Sequence, residues 1–368
     1  MKKVLFIDPT CPTPYTIKYL NNNPSGASEL CLLQVARAIQ KYSNSEIYFV
    51  QQDRKELASE SKIKYYNQEF LTSTDNDNDI DAIVLQRDPR TIPYLQKKYP
   101  NAKIVLFQHD FFEGGALATT GTKELENLKD SKIPIIALTN WHKENLIYNF
   151  KLRNLVMDHQ IKIIPHFVVS DLRKMELKLF KNIKRDKNKL CFFSSSHKGL
   201  AHTIEAFKFL HRINRNFVLY IANPSYRQYE QYQIDYIKTL QNDEGLPIIN
   251  LGGIARKEIL KHLQESLCVL SVNAVYPETF GMIHAEANAM GTPNVLLDYG
   301  ANREVVFNPA KEIIYKSPYS SDPIGYREII NRVQEYHNIA IPLTTLKPEF
   351  LIENVYPKWL NLLGLYEI

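Results

Sequence analysis

The sequence predicts an α/β protein with two doubly wound parallel sheets. Three observations predict it. Short apolar runs alternate with helical stretches, the alternation occurs in two successive sets, and a basic polar tract over 181–189 separates them. The 368 residues are enough for two domains that each bury a core, and 44% hydrophobic with 23% charged residues is ordinary for a globular chain. In the first set a strand over 4–7 leads to a helix over 27–40 and a strand over 47–50. After the acidic, asparagine-rich tract 75–79, read as an exposed loop, strands follow over 82–85, 104–107 and 135–138. An apolar stretch over 161–165 closes a first domain spanning 1–165. The tract 181–189 reads as a linker or loop. The second domain, 166–345, has strands over 190–193, 218–222, 248–251, 268–272 and 294–298, with helices over 200–210 and 257–263. The tail 346–368 has helical spacing over 349–363. There is no internal sequence repeat.

Composition narrows the setting. No apolar run reaches the length of a membrane span. Met1, Lys2 and Lys3 precede an apolar run that stops at Asp8 and Pro9, too short for a signal peptide core, so a first strand is expected. Cys11, Cys31, Cys191 and Cys268 are scattered without metal-ligand spacing, and three of them sit among apolar residues, which fits a reducing cytoplasm. A net charge of +5 is too mild to point to nucleic acid. It is consistent with an ordinary basic surface and leaves room for peripheral contact with anionic lipid on the inner face of a membrane.

Residues 276–291 are the most informative. Glu278 and Glu286 stand on either side of Phe280, Gly281 and Met282, where a loop passes into a helix. Backbone N–H groups left unpaired at a helix start make an anion site. Glu278 would lie in the preceding loop, and Glu286 one turn into the helix on the face of Met282. Carboxylates that accept from hydroxyls at both ends of a phosphate describe a site for a nucleotide sugar. The alternative is an amphipathic helix with two solvated glutamates. The Pro277 before Glu278, the stop at Gly291, Thr292 and Pro293, and the apolar strand that follows favour the site.

The segment resembles the E-x7-E signature of retaining nucleotide-sugar glycosyltransferases with two Rossmann-like domains (the GT-B fold, group 1 or family 4-like). Pro277, Glu278, Phe280, Gly281, Glu286, Ala287, Ala289, Gly291 and Pro293 carry the resemblance. It covers the whole chain, strongly after residue 190 and more loosely before. It implies two domains facing across a cleft, the first on the acceptor side and the second binding the donor, with the last helix returning to the first domain.

Other segments take roles from the same resemblance. After the strand 190–193, Lys198 and Gly199 match the family's phosphate-binding segment, with Ser195 beside them, but serines stand at 194–196 where the family has an Arg. A solvated lysine is the alternative for Lys198. Gly26 matches one of a glycine pair that approaches the donor phosphates or the acceptor, Ser25 departs from it, and a plain helix cap by Ser25 or Ser28 is an equal reading. His109, at the end of a strand, matches a position near the transferred sugar, against a structural histidine bonded to a carbonyl. Gly252 and Gly253 suit a loop that passes a flat base closely, or a simple turn. His166 and Phe167 replace the Asn and Gly of a loosely aligned family segment, and no role is assigned there.

The expectation is a retaining hexosyltransferase. Glu278, Lys198 and His109 serve the reaction, and Glu286, Phe280, Gly281, Met282, Gly26, Ser195, Gly199 and Gly253 hold a nucleoside diphosphate sugar. The acceptor is a carbohydrate, glycolipid or protein glycan. No metal or other cofactor is expected, since no Asp-x-Asp cluster stands at a strand end. The rivals are a sugar-nucleotide epimerase on the same fold and a nucleotide-sugar-binding protein without catalysis. A glycoside hydrolase is disfavoured, because it has no diphosphate to hold.

Overall fold

The apolar runs of the first half become the strands of one sheet. The computed structural model describes residues 1–73, 79–168, 184–223, 230–315 and 321–366. The strands are β1 (Lys3–Asp8), β2 (Glu46–Gln51), β3 (Ala58–Glu60), β4 (Ile63–Tyr66), β5 (Ala82–Gln86), β6 (Lys103–Phe107), β7 (Ile135–Ala137) and β8 (Ile161–Ile163). They lie in the order β3-β4-β2-β1-β5-β6-β7-β8, parallel except for β3 against β4. β1, β2 and β5 are buried nearly throughout, as inner parallel strands covered by helices must be. One face packs Leu5, Ile7, Val50, Ile83, Leu85 and Leu106. The other carries Phe6 stacked on Phe49 at 5.8 Å and Trp359 edge-on to Phe107 at 4.8 Å. Trp359 belongs to the helix Ile352–Leu363, which packs beside the helix Ala27–Ser43 through Tyr356 on Tyr42. The expected helix over 349–363 is shorter than its spacing suggested, since a 3₁₀ turn over Pro348–Phe350 precedes it.

The β3–β4 hairpin is absent from the sequence reading for a definable reason. Its two-residue turn places Ser61 and Lys62 at φ of 50° and 64°. Such turns are signalled by Asn or Gly, and neither stands there. Most of the tract 75–79 lies outside the described residues.

The chain divides into two compact units: Met1–Tyr19 with Ala27–Phe167 and Ile352–Ile368, and Leu20–Gly26 with Val168–Leu351. The second unit holds β9 (Asp186–Phe193), β10 (Val218–Ala222), β11 (Ile248–Asn250), β12 (Ser266–Ser271), β13 (Asn294–Leu297) and β14 (Ile313–Ile314), in the order β11-β10-β9-β12-β13-β14. All pairs in it are parallel. Its core joins Leu190, Phe192, Leu219, Ile221, Leu270 and Val295 to Ile204, Phe207 and Val333 from the flanking helices.

Part of the expected linker is in fact strand, because β9 begins at Asp186. Tertiary partners override its polar composition. The buried Lys189 ammonium bonds Glu265 at 2.6 Å and His262 Nδ1 at 2.7 Å, and lies over the Tyr220 ring. Residues 181–183 lie outside the described residues.

This strand order has one switch point. The chain winds from β9 to β10 and β11 on one side, and from β12 to β13 and β14 on the other. Ligands of such sheets bind outside the carboxyl ends of the strands at that point, here between β9 and β12.

Candidate active site

Three loops converge at the switch point of the second unit, and glycines let them meet. Gly199 ends the loop after β9 at φ 92° and starts the helix Leu200–Ile213. A Cβ there would stand 2.4 Å from the Val272 carbonyl oxygen and 2.7 Å from Asn273 Cα. Thr203 ties the same two loops, donating to the Gly199 carbonyl and accepting from the Val272 N–H. After β13, Gly300 sits at φ 62°, where a Cβ would stand 2.5 Å from the Glu278 carbonyl oxygen and 2.7 Å from its nitrogen. The Ala301 N–H donates to that oxygen at 2.8 Å. The backbone of Glu278 is thus clamped from a neighbouring strand end. Asn273 shapes the loop from within, its Oδ1 accepting from the N–H groups of Val275 and Tyr276.

This packing brings Lys198 and Glu278 together. The ammonium bonds both carboxylate oxygens, at 2.9 and 3.0 Å, with side chains 24% and 12% exposed. The Tyr276 ring lies beneath Lys198 and edge-on to His197. Ser195 belongs to the turn that carries Lys198, its carbonyl accepting from the Lys198 N–H.

The helix Met282–Ala289 starts beside this pair. Gly281 precedes it at φ 74°, with no side chain capping the helix start. Phe280 is buried edge-on against Phe350, and Met282 is buried as well, so only their backbone can face a ligand. Glu286 follows one turn later and is buried. Its Oε1 lies 2.5 Å from Nη2 of Arg256, the first residue of the helix Arg256–Glu265. Burial pushes the Glu286 carboxyl above the ordinary range, and Arg256 pulls it partly back. Gly253 lies half-buried in the turn before Arg256, where Gly252 takes φ 62° and its N–H bonds Asn250 Oδ1.

Beneath this helix lies a polar network that the sequence reading missed. The fully buried Glu312 accepts through Oε1 from Asn288 Nδ2 and from both the backbone N–H and Nδ2 of Asn294. Its Oε2 accepts from the Asn308 N–H. Asn294 continues to His284, whose burial lowers its pKa to about 4 and keeps it neutral. Buried donors and acceptors matched in this way fix the helix on β13.

His109 and Gly26 are placed by other elements. His109 belongs to the first unit and is buried in an aromatic stack, 4.2 Å from the Phe107 ring and 5.2 Å from that of His166. Burial holds its pKa well below the usual value. Gly26 is buried just ahead of the helix Ala27–Ser43. Ser28 lies inside that helix rather than capping it. Its hydroxyl donates to Glu29 Oε1 and accepts from Arg87.

Ser28 leads to a second polar cluster, at the carboxyl ends of β1, β5 and β6. Arg87, at φ 62°, forms an ion pair with Asp110 at 2.8 Å and stands 3.8 Å from the buried Glu29. Buried Asp8 accepts from the N–H groups of Thr10 and Cys11 and from the Tyr15 hydroxyl. Side-chain ligand atoms of Asp8, Cys11 and Glu29 lie within 4.8 Å of one another. Arg87 already supplies a cation beside them. A non-glycine residue in left-handed backbone at a strand end is a mark of functional sites, but no sequence pattern announces it.

No curated protein matches the sequence. Residues 175–327 match the family described as glycosyl transferases group 1. Solved structures similar to the chain include sucrose-phosphate synthase from Thermosynechococcus elongatus, with 12% identity, 98% of each chain covered and a TM-score of 0.63. The pneumococcal O-GlcNAc transferase GtfA, in complex with UDP and GlcNAc, has 12% identity over 99% of this chain and 98% of its own, with a TM-score of 0.65. Anabaena HepE, in complex with UDP and glucose, has 15% identity over 99% and 100%, with a TM-score of 0.62. Likeness at such low identity establishes architecture. The chain therefore has the GT-B fold, and its residues 175–327 match the glycosyl transferases group 1 family.

Proposed function

We propose that the protein is a retaining glycosyltransferase that moves a hexose from a uridine diphosphate sugar to a hydroxyl acceptor, in glycan or glycolipid synthesis. The observation that carries this reading is the pair of carboxylates, Glu278 and Glu286, bracketing the start of the helix Met282–Ala289, each with its own cation. The UDP bound in the similar GtfA and HepE structures supports the choice of base. Glu278 would accept from the sugar's hydroxyls and Glu286 from those of the ribose. The helix start and Lys198 would receive the diphosphate, since an ammonium has three donors and can serve a carboxylate and a phosphate together.

In the step itself the acceptor oxygen attacks the anomeric carbon from the face the diphosphate leaves. The bond from that carbon to the phosphate oxygen breaks, the acceptor's proton passes to the departing oxygen, and the nucleoside diphosphate is released. Charge growing on the phosphate is what a fixed cation stabilises more in the transition state than in the ground state. The polar cluster of the first unit, with Arg87, Glu29 and Asp110, is our candidate for acceptor binding.

The test is release of UDP from UDP-glucose or UDP-N-acetylglucosamine with and without a panel of hydroxyl acceptors. Release that requires an acceptor, with anomeric configuration kept in the product, is expected. Epimerised donor without release, or binding without turnover across the panel, would replace this reading by one of its rivals.

A further inference from the structure

We propose that Arg256 is the positioning residue of the nucleoside pocket: it holds Glu286 so that a fixed carboxylate oxygen meets the ribose cis-diol, making the pocket select ribonucleotides over 2′-deoxyribonucleotides. The inference rests on the glycosyltransferase reading and deepens it.

The geometry is that of a nearly desolvated pair. Arg256 and Glu286 are 15% and 7% exposed at 2.5 Å. An unpaired carboxylate at that depth would take up a proton and lose acceptor capacity. Arg256 is the charge that bears on Glu286 among the described residues. The contact is a close ion pair through Nη2, so the guanidinium keeps the carboxylate ionised and draws Oε1 toward itself. Oε1 faces Arg256, and a carboxylate has about four acceptor sites, so Oε2 keeps capacity for hydroxyls. Both ends are anchored. Arg256 opens a ten-residue helix behind the turn at Gly252, and Glu286 rides on the helix fixed by Glu312. Arg256 need not touch the nucleotide at all.

The experiment compares UDP and 2′-deoxy-UDP by titration calorimetry on the wild type, Arg256→Gln, Arg256→Lys and Glu286→Gln, at pH 6 and pH 8. A hydrogen bond to a charged group corresponds to roughly 10- to 100-fold, so the wild type should prefer UDP by about 10-fold or more, similarly at both pH values. In Arg256→Gln the preference should fall within about 3-fold, and UDP affinity should drop from pH 8 to pH 6 as the unsupported carboxyl protonates. Arg256→Lys should restore the flat pH profile and part of the preference. Should Arg256→Gln fail to fold, Arg256→Lys and Glu286→Gln carry the test. Glu286→Gln should lose the preference outright, and Arg256→Lys should keep more of it. Wild-type preference and a flat profile in Arg256→Gln, or equal loss in Arg256→Lys and Glu286→Gln, would overturn the inference. A wild type that binds neither UDP nor any other nucleoside diphosphate would instead overturn the glycosyltransferase reading, and the inference with it.

Discussion

Removing Lys198 and Glu278 singly and together should give losses that do not add. At 2.9 Å, with an effective dielectric of about 20, the attraction between the two charges has a ceiling near 6 kcal/mol. Desolvation and residual solvent contact consume much of that, so a coupling of about 1–3 kcal/mol is expected. On turnover, Lys198→Met alone should cost about 3–4 kcal/mol, since it removes a fixed cation from the leaving group. Glu278→Gln alone should cost about 1–3 kcal/mol through weaker acceptance from the sugar's hydroxyls. Independent residues would make the double variant lose about 4–7 kcal/mol. Because each holds the other in place, the double variant should lose about 1–3 kcal/mol less than that sum. Turnover at saturating donor and thermal unfolding of the ligand-free protein should be measured on all four forms. In unfolding, each single variant leaves one nearly buried charge unpaired, so the double should be more stable than the worse single. Additive losses in both measurements would refute the claim that the pair works as a unit.

Gly300→Ala should cut turnover by about 100-fold, since its Cβ would collide with the backbone of Glu278 and displace that carboxylate by a fraction of an ångström to about 1 Å; kcat within 3-fold of wild type would remove Gly300 from the argument. Turnover should survive dialysis against a chelator, because Lys198 and a helix start offer the positive charge at the diphosphate; complete loss restored by magnesium or manganese would count against this. Stability should fall between pH 6.5 and 4. His142, His166 and His284 are buried neutral with pKa values of about 4, 3 and 4, and His109 lies well below its usual value. The unfolded chain binds those protons first, so unfolding takes up protons and stability is lost as pH falls, at up to about 1.4 kcal/mol per pH unit for each histidine. Glu29 and Glu286, both raised by burial, oppose this where they take up protons ahead of the unfolded chain. A melting temperature that stays level or rises from pH 7 to pH 5 would contradict the assignment.

The sequence was most legible where chemistry and local structure share one short segment. Glu278, Gly281 and Glu286 lie within nine residues, so a loop-to-helix passage could be read with its two carboxylates in place. The inner strands were legible for a similar reason, because burial on both faces leaves unbroken apolar runs. Features assembled from distant segments were not legible. Arg256 and Glu286 are thirty positions apart, and nothing near Arg256 marks it as other than a helix-start residue. Gly300 matters for a contact with Glu278, one strand over. The strand character of Asp186 to Lys189 comes from Glu265, His262 and Tyr220, none of them local. His109 follows a strand as expected, but its stack depends on His166 and on Trp359, which packs edge-on to Phe107.

The serines at 194–196 look at first like a loss, since the resembled family has an Arg there. Each carboxylate that brackets the helix start already has a cation, so the ligand-free site is locally balanced and its two pairs differ in kind. Arg256 and Glu286 form a nearly desolvated ion pair. Lys198 is a flexible point charge with both Glu278 oxygens as partners. On the proposed reading, the sugar and the leaving phosphate then draw on one residue. A sugar hydroxyl that engages Glu278 loosens its hold on Lys198, and the ammonium is released toward the diphosphate as the anomeric bond weakens. A chain with a separate guanidinium at the phosphate would not need that exchange. With the diphosphate's cation shared in this way, binding of the hexose and stabilisation of the leaving group become one linked event. An intact donor should therefore benefit from Lys198 more than free nucleoside diphosphate does.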